Sequence, residues 1–134
     1  MILVDAGPLV ALFDRDDRHH RRCVVTLRSL SEPLATAWPV VTEAMHLLAF
    51  SSQAQDALMD QVASGALGLM PLDAGDAARI RELMRKYRDL PMDLADAALV
   101  RIAEREGIRR VFTIDRRDFT VYRPAKIGRL HIIP

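Results

Sequence analysis

Residues 91–118 read PMDLADAALVRIAEREGIRRVFTIDRRD, and they contain the clearest passage from a helix to a strand in this chain. The apolar side chains between Met92 and Glu106 recur at helical spacing and predict a helix, which Gly107 ends. Residues 110–114 then predict a short buried strand, which Asp115 follows directly. A helix that leads into a buried strand is typical of α/β proteins with a largely parallel sheet.

The rest of the chain repeats this alternation of short strands and helices. Further strands are predicted at 1–4, 34–37, 67–72 and 130–133. Helices are predicted at 8–13, from a cap at Asp16 or Asp17 to about 30, at 38–50, at 54–63, and from 73 to a break at Pro91. Such helices supply the crossovers that parallel strands need, so the sequence predicts a sheet of about five short strands.

The composition limits the classes of protein to which the chain can belong. It has 134 residues, 19 basic and 18 acidic side chains, 50% hydrophobic residues and one cysteine, Cys23. This length predicts a single domain over residues 1–134, and a lone cysteine excludes an internal disulfide or a cysteine-rich zinc site. No apolar run approaches the roughly 20 residues of a membrane helix, and no basic segment precedes the first apolar run. We therefore expect a soluble, cytoplasmic protein with no membrane partner, in which Cys23 is a small buried hydrophobic residue.

Acidic side chains stand where the predicted strands end and the predicted helices begin. Asp5 ends the first strand, and Asp115 comes directly after the fourth. Four more acids lie in the first turns of helices or just beyond the fourth strand: Glu43, Asp93, Asp96 and Asp118. Because parallel sheets hold their sites at the carboxyl ends of the strands, we expect all six acids at one edge of the sheet.

Each of these acids also has an ordinary structural explanation. Asp residues form turns after strands, and acids near a helix N-terminus interact favourably with the helix dipole. Asp96, however, stands within an apolar helical stretch, where an unpaired carboxylate is costly to desolvate. Asp93 lies three residues earlier and shares its face of the helix. Converging carboxylates repel one another, and a divalent cation with oxygen ligands, Mg²⁺ or Mn²⁺, removes that repulsion.

Four segments, in this order, resemble the PIN-domain proteins of the VapC toxin type: residues 2–9 (ILVDAGPL), 42–44 (TEA), 91–97 (PMDLADA) and 111–119 (VFTIDRRDF). The resemblance extends over essentially the whole chain and implies a three-layer α/β/α PIN-like fold around a central, mainly parallel sheet. It also implies a metal-dependent endoribonuclease, the toxin of a type II toxin–antitoxin pair, with Mg²⁺ or Mn²⁺ as its cofactor. The family's catalytic and metal-binding acids fall on Asp5, Glu43, Asp96 and Asp115, with Asp93 and Asp118 as additional acids.

The chain departs from this family in one respect. Many relatives carry a hydroxyl residue soon after the first acid, where this chain has Ala6 and Gly7. Two threonines, Thr42 and Thr113, are the candidates to supply that hydroxyl instead, and the sequence leaves the choice open.

The resemblance further implies an RNA substrate, a cognate antitoxin and a homodimer. Arginine forks suit phosphate groups, and the residues that we consider as RNA contacts are Arg15, Arg18, His19 and Arg116, with His20, Arg21, Arg22 and Arg117 beside them. The alternative for each is an ordinary solvated side chain. The apolar helices at 40–50 and 54–63 suit either partner surfaces or core packing, and we expect His46 to be a core or interface residue.

Other function classes fit the sequence less well. The chain has no G-x-G-x-x-G, no Walker Gly-Lys-Ser/Thr, no G-x-S-x-G and no H-E-x-x-H. A phospho-accepting receiver-like domain is disfavoured because only Asp5 follows the first strand and no lysine lies near Asp115. The remaining alternative is a catalytically inactive PIN-like binding module, and the intact set of four acids argues against it.

Overall fold

The computed structural model describes all 134 residues and is built around a five-stranded sheet. The strands are β1 (Ile2–Val4), β2 (Leu34–Thr36), β3 (Leu67–Leu69), β4 (Arg110–Phe112) and β5 (His131–Ile133). Their order across the sheet is β3-β2-β1-β4-β5, and every neighbouring pair is parallel. The register places Leu3 opposite Ala35 on one side and opposite Val111 on the other. The prediction of about five short strands is confirmed, and the sheet is parallel throughout.

Seven helices connect the strands. They are α1 (Ala6–Phe13), α2 (His20–Ser29), α3 (Trp38–Leu47), α4 (Ser52–Ser64), α5 (Ala77–Lys86), α6 (Leu94–Glu106) and α7 (Arg116–Val121), with a short 3₁₀ turn (Ala74–Asp76) before α5. The connections that contain α1 to α4 run in one direction across the sheet, and those that contain α5 to α7 run in the other. Because crossovers between parallel strands are right-handed, the two groups of helices cover opposite faces. The predicted three-layer α/β/α fold is confirmed.

The middle of the sheet is the most deeply buried part of the molecule. Ile2, Leu3 and Val4 of β1 are almost completely buried, as strands are when helices cover both faces of a parallel sheet. Phe112 at the end of β4 and the buried face of α6 continue the same core. The side chains that extend from the carboxyl ends of β1 and β4 therefore start from a firmly packed base.

The ends of α6 explain why this helix is so well defined by the sequence. The Asp93 carboxylate accepts a hydrogen bond from the backbone N–H of Asp96 at 2.8 Å and so caps the first turn. At the other end Gly107 adopts a φ of 69°, a left-handed conformation that glycine takes without a steric penalty. The helix therefore holds Asp93 and Asp96 at fixed places in its first turn.

Several predicted boundaries and roles are wrong. Helix α1 begins at Ala6 instead of Pro8, and β3 ends at Leu69. Neither Asp16 nor Asp17 is the N-cap of α2; His19 occupies that position, and the Asp17 carboxylate accepts a hydrogen bond from its backbone N–H at 2.8 Å. Asp17 thus stabilises the turn before the helix, because an Asp side chain readily bonds to a backbone two residues ahead.

Three further residues or segments complete the comparison with the predictions. Helix α7 was not predicted, because Asp-Arg-Arg-Asp is also typical of a turn and six residues are too few to show a helical period. His46 is exposed, so it is not a core residue. Cys23 is buried and free, as expected. No helix is long and apolar enough to cross a membrane.

A network of ion pairs fastens α5 and the 3₁₀ turn to α6. The guanidinium groups of Arg101 and Arg105 contact the Asp76 carboxylate at 2.8 and 2.9 Å, and Arg79 contacts Glu104 at 2.6 Å. The hydrogen bond from the backbone N–H of Asp73 is the largest of several influences that lower the pKa of Asp76 to about 2. This network lies away from the carboxyl edge of the sheet and stabilises the helical layer.

Candidate active site

A cleft of about 340 Å³ opens at the carboxyl ends of β1 and β4. The strand order reverses direction between these two strands, and in open α/β sheets ligands bind at such a reversal. The six predicted acids all line this cleft: Asp5, Glu43, Asp93, Asp96, Asp115 and Asp118. The structure thus brings together the complete acidic set that the sequence placed at this edge.

Asp5 is the most deeply buried of the six acids of the cleft, with 7% of its surface exposed. Burial raises the pKa of its carboxyl group to about 6, and the negative charges of Asp115 and Asp93 act in the same direction. The backbone N–H of Ala6 and the hydroxyl of Thr113 oppose this effect by hydrogen bonding to the carboxylate. Burial therefore outweighs the two donors, and the neighbouring charges add to its effect.

Asp96 has an even stronger preference for its protonated form. Burial raises the pKa of its carboxyl group to about 8, with further contributions from the charges of Asp5 and Asp93. The Tyr122 hydroxyl donates a hydrogen bond to Asp96 Oδ2 at 2.9 Å. This bond favours the charged carboxylate, but its effect on the pKa is smaller than that of burial and the neighbouring charges. The first turn of α6 therefore presents a carboxylate that a nearby positive charge would stabilise considerably.

Glu43 and Asp118 complete the rim of the cleft from α3 and α7. The pKa of Glu43 is raised chiefly by burial and then by the charges of Asp93 and Asp5. The pKa of Asp118 is raised by burial and by the neighbouring Asp115. Acids from four separate helices or strand ends thus affect one another, so the cleft is a single electrostatic unit.

Asp93 and Asp115 also have the ordinary role that the sequence allowed for them. Asp93 caps α6, as described above, and Asp115 caps α7 by accepting a hydrogen bond from the backbone N–H of Asp118 at 3.3 Å. Both line the cleft and both keep a second carboxylate oxygen beyond the cap. Capping and a role in the site are therefore compatible at these positions.

The hydroxyl that is missing after Asp5 comes from Thr113. Its Oγ1 donates to Asp5 Oδ2 at 2.9 Å and accepts from the backbone N–H of Asp115 at 3.0 Å, so one buried side chain connects two of the acids. Thr42 instead donates to the Trp38 carbonyl on the exposed side of α3. A Cβ at Gly7 would lie 2.7 Å from Ile114 Cγ1, so Ile114 fills the space that a larger residue at position 7 would need.

Tyr122 is the residue of the site that the sequence analysis missed. It lies at the end of α7, is completely buried, and reaches Asp96 from beneath the cleft. A tyrosine in a short segment without a predicted element carries no signal of such a contact. The contact forms only because the chain, after β4 and α7, places Tyr122 next to the first turn of α6.

The four predicted RNA contacts lie outside the cleft. Arg15, Arg18 and His19 stand between α1 and α2, and Arg15 borders a separate groove with His20, whose Nδ1 lies 2.7 Å from the Ala11 carbonyl oxygen. Helix α1 begins directly after Asp5 and is eight residues long, so the distance along the helix from Asp5 to its other end is roughly 12 Å. Arg116 is exposed beside Asp115, and its guanidinium contacts the Pro134 carbonyl.

The donor set of the cleft fits a small divalent cation. All six side chains offer carboxylate oxygens, the ligand type that Mg²⁺ and Mn²⁺ prefer. In the present conformation no group of three or more His, Cys, Asp or Glu side chains is arranged to hold a metal ion directly. Burial chiefly, and the charges of neighbouring acids in addition, raise the pKa values of Asp5 and Asp96. A cation would relieve both effects.

Comparison with known proteins agrees with the fold and the cleft. The family model of the PIN domain matches residues 2–124, and the chain belongs to the PIN-domain family. Ribonuclease VapC26 of Mycobacterium tuberculosis is 31% identical over 135 residues, which cover 99% of this chain and 100% of that protein. The predicted membership of the VapC type of PIN-domain protein is thereby confirmed.

Two solved structures share the architecture at lower sequence identity. Mycobacterium tuberculosis VapC20, described as a toxin that cleaves the sarcin-ricin loop, superposes with a TM-score of 0.80 at 18% identity, over 87% of this chain and 92% of that chain. A toxin–antitoxin complex from Klebsiella pneumoniae superposes with a TM-score of 0.68 at 21% identity, over 90% of this chain and 92% of that chain. At these identities the likeness establishes the fold.

Proposed function

We propose that the carboxylate cleft is the active site of a metal-dependent endoribonuclease, and that the protein is the toxin of a toxin–antitoxin pair. The observation that carries this proposal is the convergence of six acids at the reversal point of the sheet, with Asp5 buried and Asp96 half-buried among them. The full-length similarity to a VapC ribonuclease supports the same reaction class. We also propose that the protein acts in the cytoplasm, where its RNA substrates would be found.

The four acids Asp5, Glu43, Asp96 and Asp115 are the proposed holders of Mg²⁺ or Mn²⁺. When bound, such an ion lowers the pKa of water and neutralises charge on a phosphodiester, which favours hydrolysis of the P–O bond. The protein's own contribution is to group negative oxygens in a cleft that is partly closed to water. Thr113 keeps Asp5 in place through its 2.9 Å hydrogen bond, so that the most buried acid has a fixed orientation.

Cleavage of a mixed RNA pool tests the proposal. The parent protein should cleave RNA with Mg²⁺ or Mn²⁺, stop in EDTA, and resume when the metal is returned. Asp5→Asn and Asp96→Asn should abolish cleavage, whereas Asp56→Asn, which removes an exposed acid on α4, should not change it. Folded parent protein that cleaves nothing with either metal would favour the inactive binding module instead.

We further propose that the RNA backbone is gripped outside the cleft by the exposed arginines. Arg15 and Arg18 flank the start of α2, and Arg116 stands next to Asp115. Phosphate contacts make binding dependent on salt, and each lost contact lowers the slope of log K against log salt by about 1. The double variant Arg15→Gln/Arg18→Gln should therefore lower this slope by about 2 for RNA bound to protein in EDTA. An unchanged slope would make these arginines ordinary surface residues.

A homodimer and an antitoxin are the proposed partners. Three large apolar side chains on or just after α3 are exposed, Trp38, Leu47 and Phe50, and a second copy of the chain would cover them. Trp38→Ser should shift the mass in sedimentation equilibrium from dimer to monomer, whereas Val25→Ser, at an exposed apolar residue of α2, should not. A parent protein that sediments as a monomer would contradict this.

For the antitoxin, we expect free protein to cleave RNA and the purified complex to be inactive.

A further inference from the structure

The Tyr122 side chain is held in one position at the end of α7. It is completely buried, and its ring packs edge-on against Phe119 and Tyr87, with ring centroids 5.2 and 5.0 Å away. Interiors of this kind are as densely packed as organic crystals, so the ring cannot swing to another rotamer without moving its neighbours. The phenolic hydroxyl therefore occupies a defined point beneath the first turn of α6.

That point lies within hydrogen-bond distance of one oxygen of Asp96. The hydroxyl donates to Asp96 Oδ2 at 2.9 Å, a bond that is strengthened when the acceptor is charged. A phenol has one proton to donate, and a buried tyrosine is normally paired. The bond involves Oδ2 of Asp96, so Tyr122 does not contact the other carboxylate oxygen, Oδ1. The orientation of Asp96 thus depends on a side chain that does not itself line the cleft.

Helix α7 and the residues before it support Asp5 and Asp96 in the same way. Thr113 donates to Asp5 Oδ2 and Tyr122 donates to Asp96 Oδ2, and the two donors stand on either side of the short helix that Asp115 caps. Asp5 and Asp96 therefore each have one hydroxyl donor from the segment that follows β4. This repeated arrangement distinguishes the Tyr122 contact from a chance pairing in the core.

We propose that Tyr122 is a positioning residue of the active site, which orients the Asp96 carboxylate for a divalent cation. The inference rests on the proposed function, because it takes Asp96 to be a metal ligand. Hydrogen-bond partners of ligating groups commonly contribute 10-fold to 100-fold to metal affinity or activity. Loss of the phenolic hydroxyl alone should therefore weaken metal binding by roughly that factor while the aromatic packing persists.

Tyr87 provides a matched control in the same aromatic cluster. Its hydroxyl accepts a hydrogen bond from the backbone N–H of Arg123 at 3.0 Å and has no carboxylate partner. Tyr87→Phe and Tyr122→Phe each delete one buried phenolic oxygen from neighbouring rings. The first removes a purely structural hydrogen bond, and the second removes the contact with Asp96.

The test is the Kd of Mn²⁺ measured by titration calorimetry for the parent and the two variants. We expect Tyr122→Phe to raise the Kd by about 10-fold to 100-fold and Tyr87→Phe to leave it within about twofold. In RNA cleavage, Tyr122→Phe should need a correspondingly higher Mn²⁺ concentration for half-maximal rate, with the KM for RNA unchanged. Equal Kd values for Tyr122→Phe and the parent, or an equal loss in both variants, would overturn the assignment.

A double-mutant cycle of Tyr122→Phe and Asp96→Ala in EDTA provides a second readout without metal. We expect the Tm change of the double variant to differ from the sum of the two single changes, because the two groups contact each other. Strict additivity would contradict the contact. Parent protein that binds Mn²⁺ but cleaves no RNA would refute the proposed function alone, and the Kd values would still decide the role of Tyr122. Parent protein that binds no Mn²⁺ would refute both.

Discussion

Burial of the Asp5 carboxyl group, with other acids beside it, predicts that replacing Asp5 with asparagine stabilises the protein when no metal is present. Burial among other acids raises the pKa of Asp5 from the ordinary value of 3.8 to about 6. The folded protein therefore binds more protons than the unfolded chain between about pH 4 and pH 6, and its stability falls as the pH rises through that window. Above pH 6 the Asp5 carboxyl group is ionised and the parent has lost this part of its stability. The Asp5→Asn variant does not lose it, because asparagine carries no charge.

The size of the effect follows from the shift of about two pKa units. Each unit corresponds to about 1.4 kcal/mol, so the parent should lose about 3 kcal/mol of unfolding free energy relative to Asp5→Asn between pH 4 and pH 7. For a chain of this length, that difference corresponds to a change in Tm on the order of 10 °C. Because only 7% of the Asp5 surface is exposed, solvent does little to screen the charge of its carboxylate.

Thermal melts followed by circular dichroism at several pH values between 4 and 8, all in EDTA, measure this difference. Asp56→Asn serves as the control, because its exposed carboxylate on α4 lies outside the cleft. We expect the Tm difference between Asp5→Asn and the parent to grow from pH 4 to pH 6 and then level off. Added Mn²⁺ should stabilise the parent and not the variant. Parallel Tm curves for the parent and Asp5→Asn would refute the idea of a crowded acidic site.

Three further predictions concern single contacts. Thr113→Val should slow RNA cleavage by about 10-fold to 100-fold at limiting metal, because it removes the hydroxyl that donates to Asp5. Normal cleavage by this variant would contradict the role of Thr113. Gly7→Ala should lower the unfolding free energy in urea by about 1–3 kcal/mol, because its Cβ would lie 2.7 Å from Ile114 Cγ1 and 3.0 Å from Ile114 Cδ1. Ile114→Val removes Cδ1 and should restore part of the loss, and an unchanged free energy for Gly7→Ala would contradict the close contact. Asp76→Ala should lower the same free energy by about 2 kcal/mol, because it removes the carboxylate that Arg101 and Arg105 both contact. A loss below about 1 kcal/mol would show that the remaining glutamate partners of the two arginines are sufficient.

The layered fold could be predicted from the sequence because each short strand is apolar and is bounded by helical patterns or turn residues. Asp5 and Asp115 were predictable as neighbours for a topological reason: both follow strands directly, and parallel strands end at the same edge. Glu43 and Asp96 were placed by the helices that begin at that edge. These inferences depend on local patterns, which a single sequence carries well.

The features that escaped prediction depend on contacts between distant segments. The sequence left Thr42 and Thr113 equivalent as sources of a hydroxyl, and only the pairing of β1 with β4 places Thr113 beside Asp5. Tyr122 gave no signal because its contact with Asp96 joins residues 26 apart through an unpredicted helix. The sequence could not show how far Arg15 lies from the acids: the length of α1 separates them, and Arg15 stays a proposed RNA contact outside the cleft.

The most direct test of the central claim is the single-turnover rate of RNA cleavage in saturating Mg²⁺ for Asp96→Asn beside Asp56→Asn. Partners of metal ligands contribute up to about 100-fold, so loss of a ligand itself should slow the reaction by at least that factor. We predict such a loss for Asp96→Asn, and a rate within about twofold of the parent for Asp56→Asn. Cleavage by Asp96→Asn at the parent rate would contradict the assignment of the carboxylate cleft as the active site.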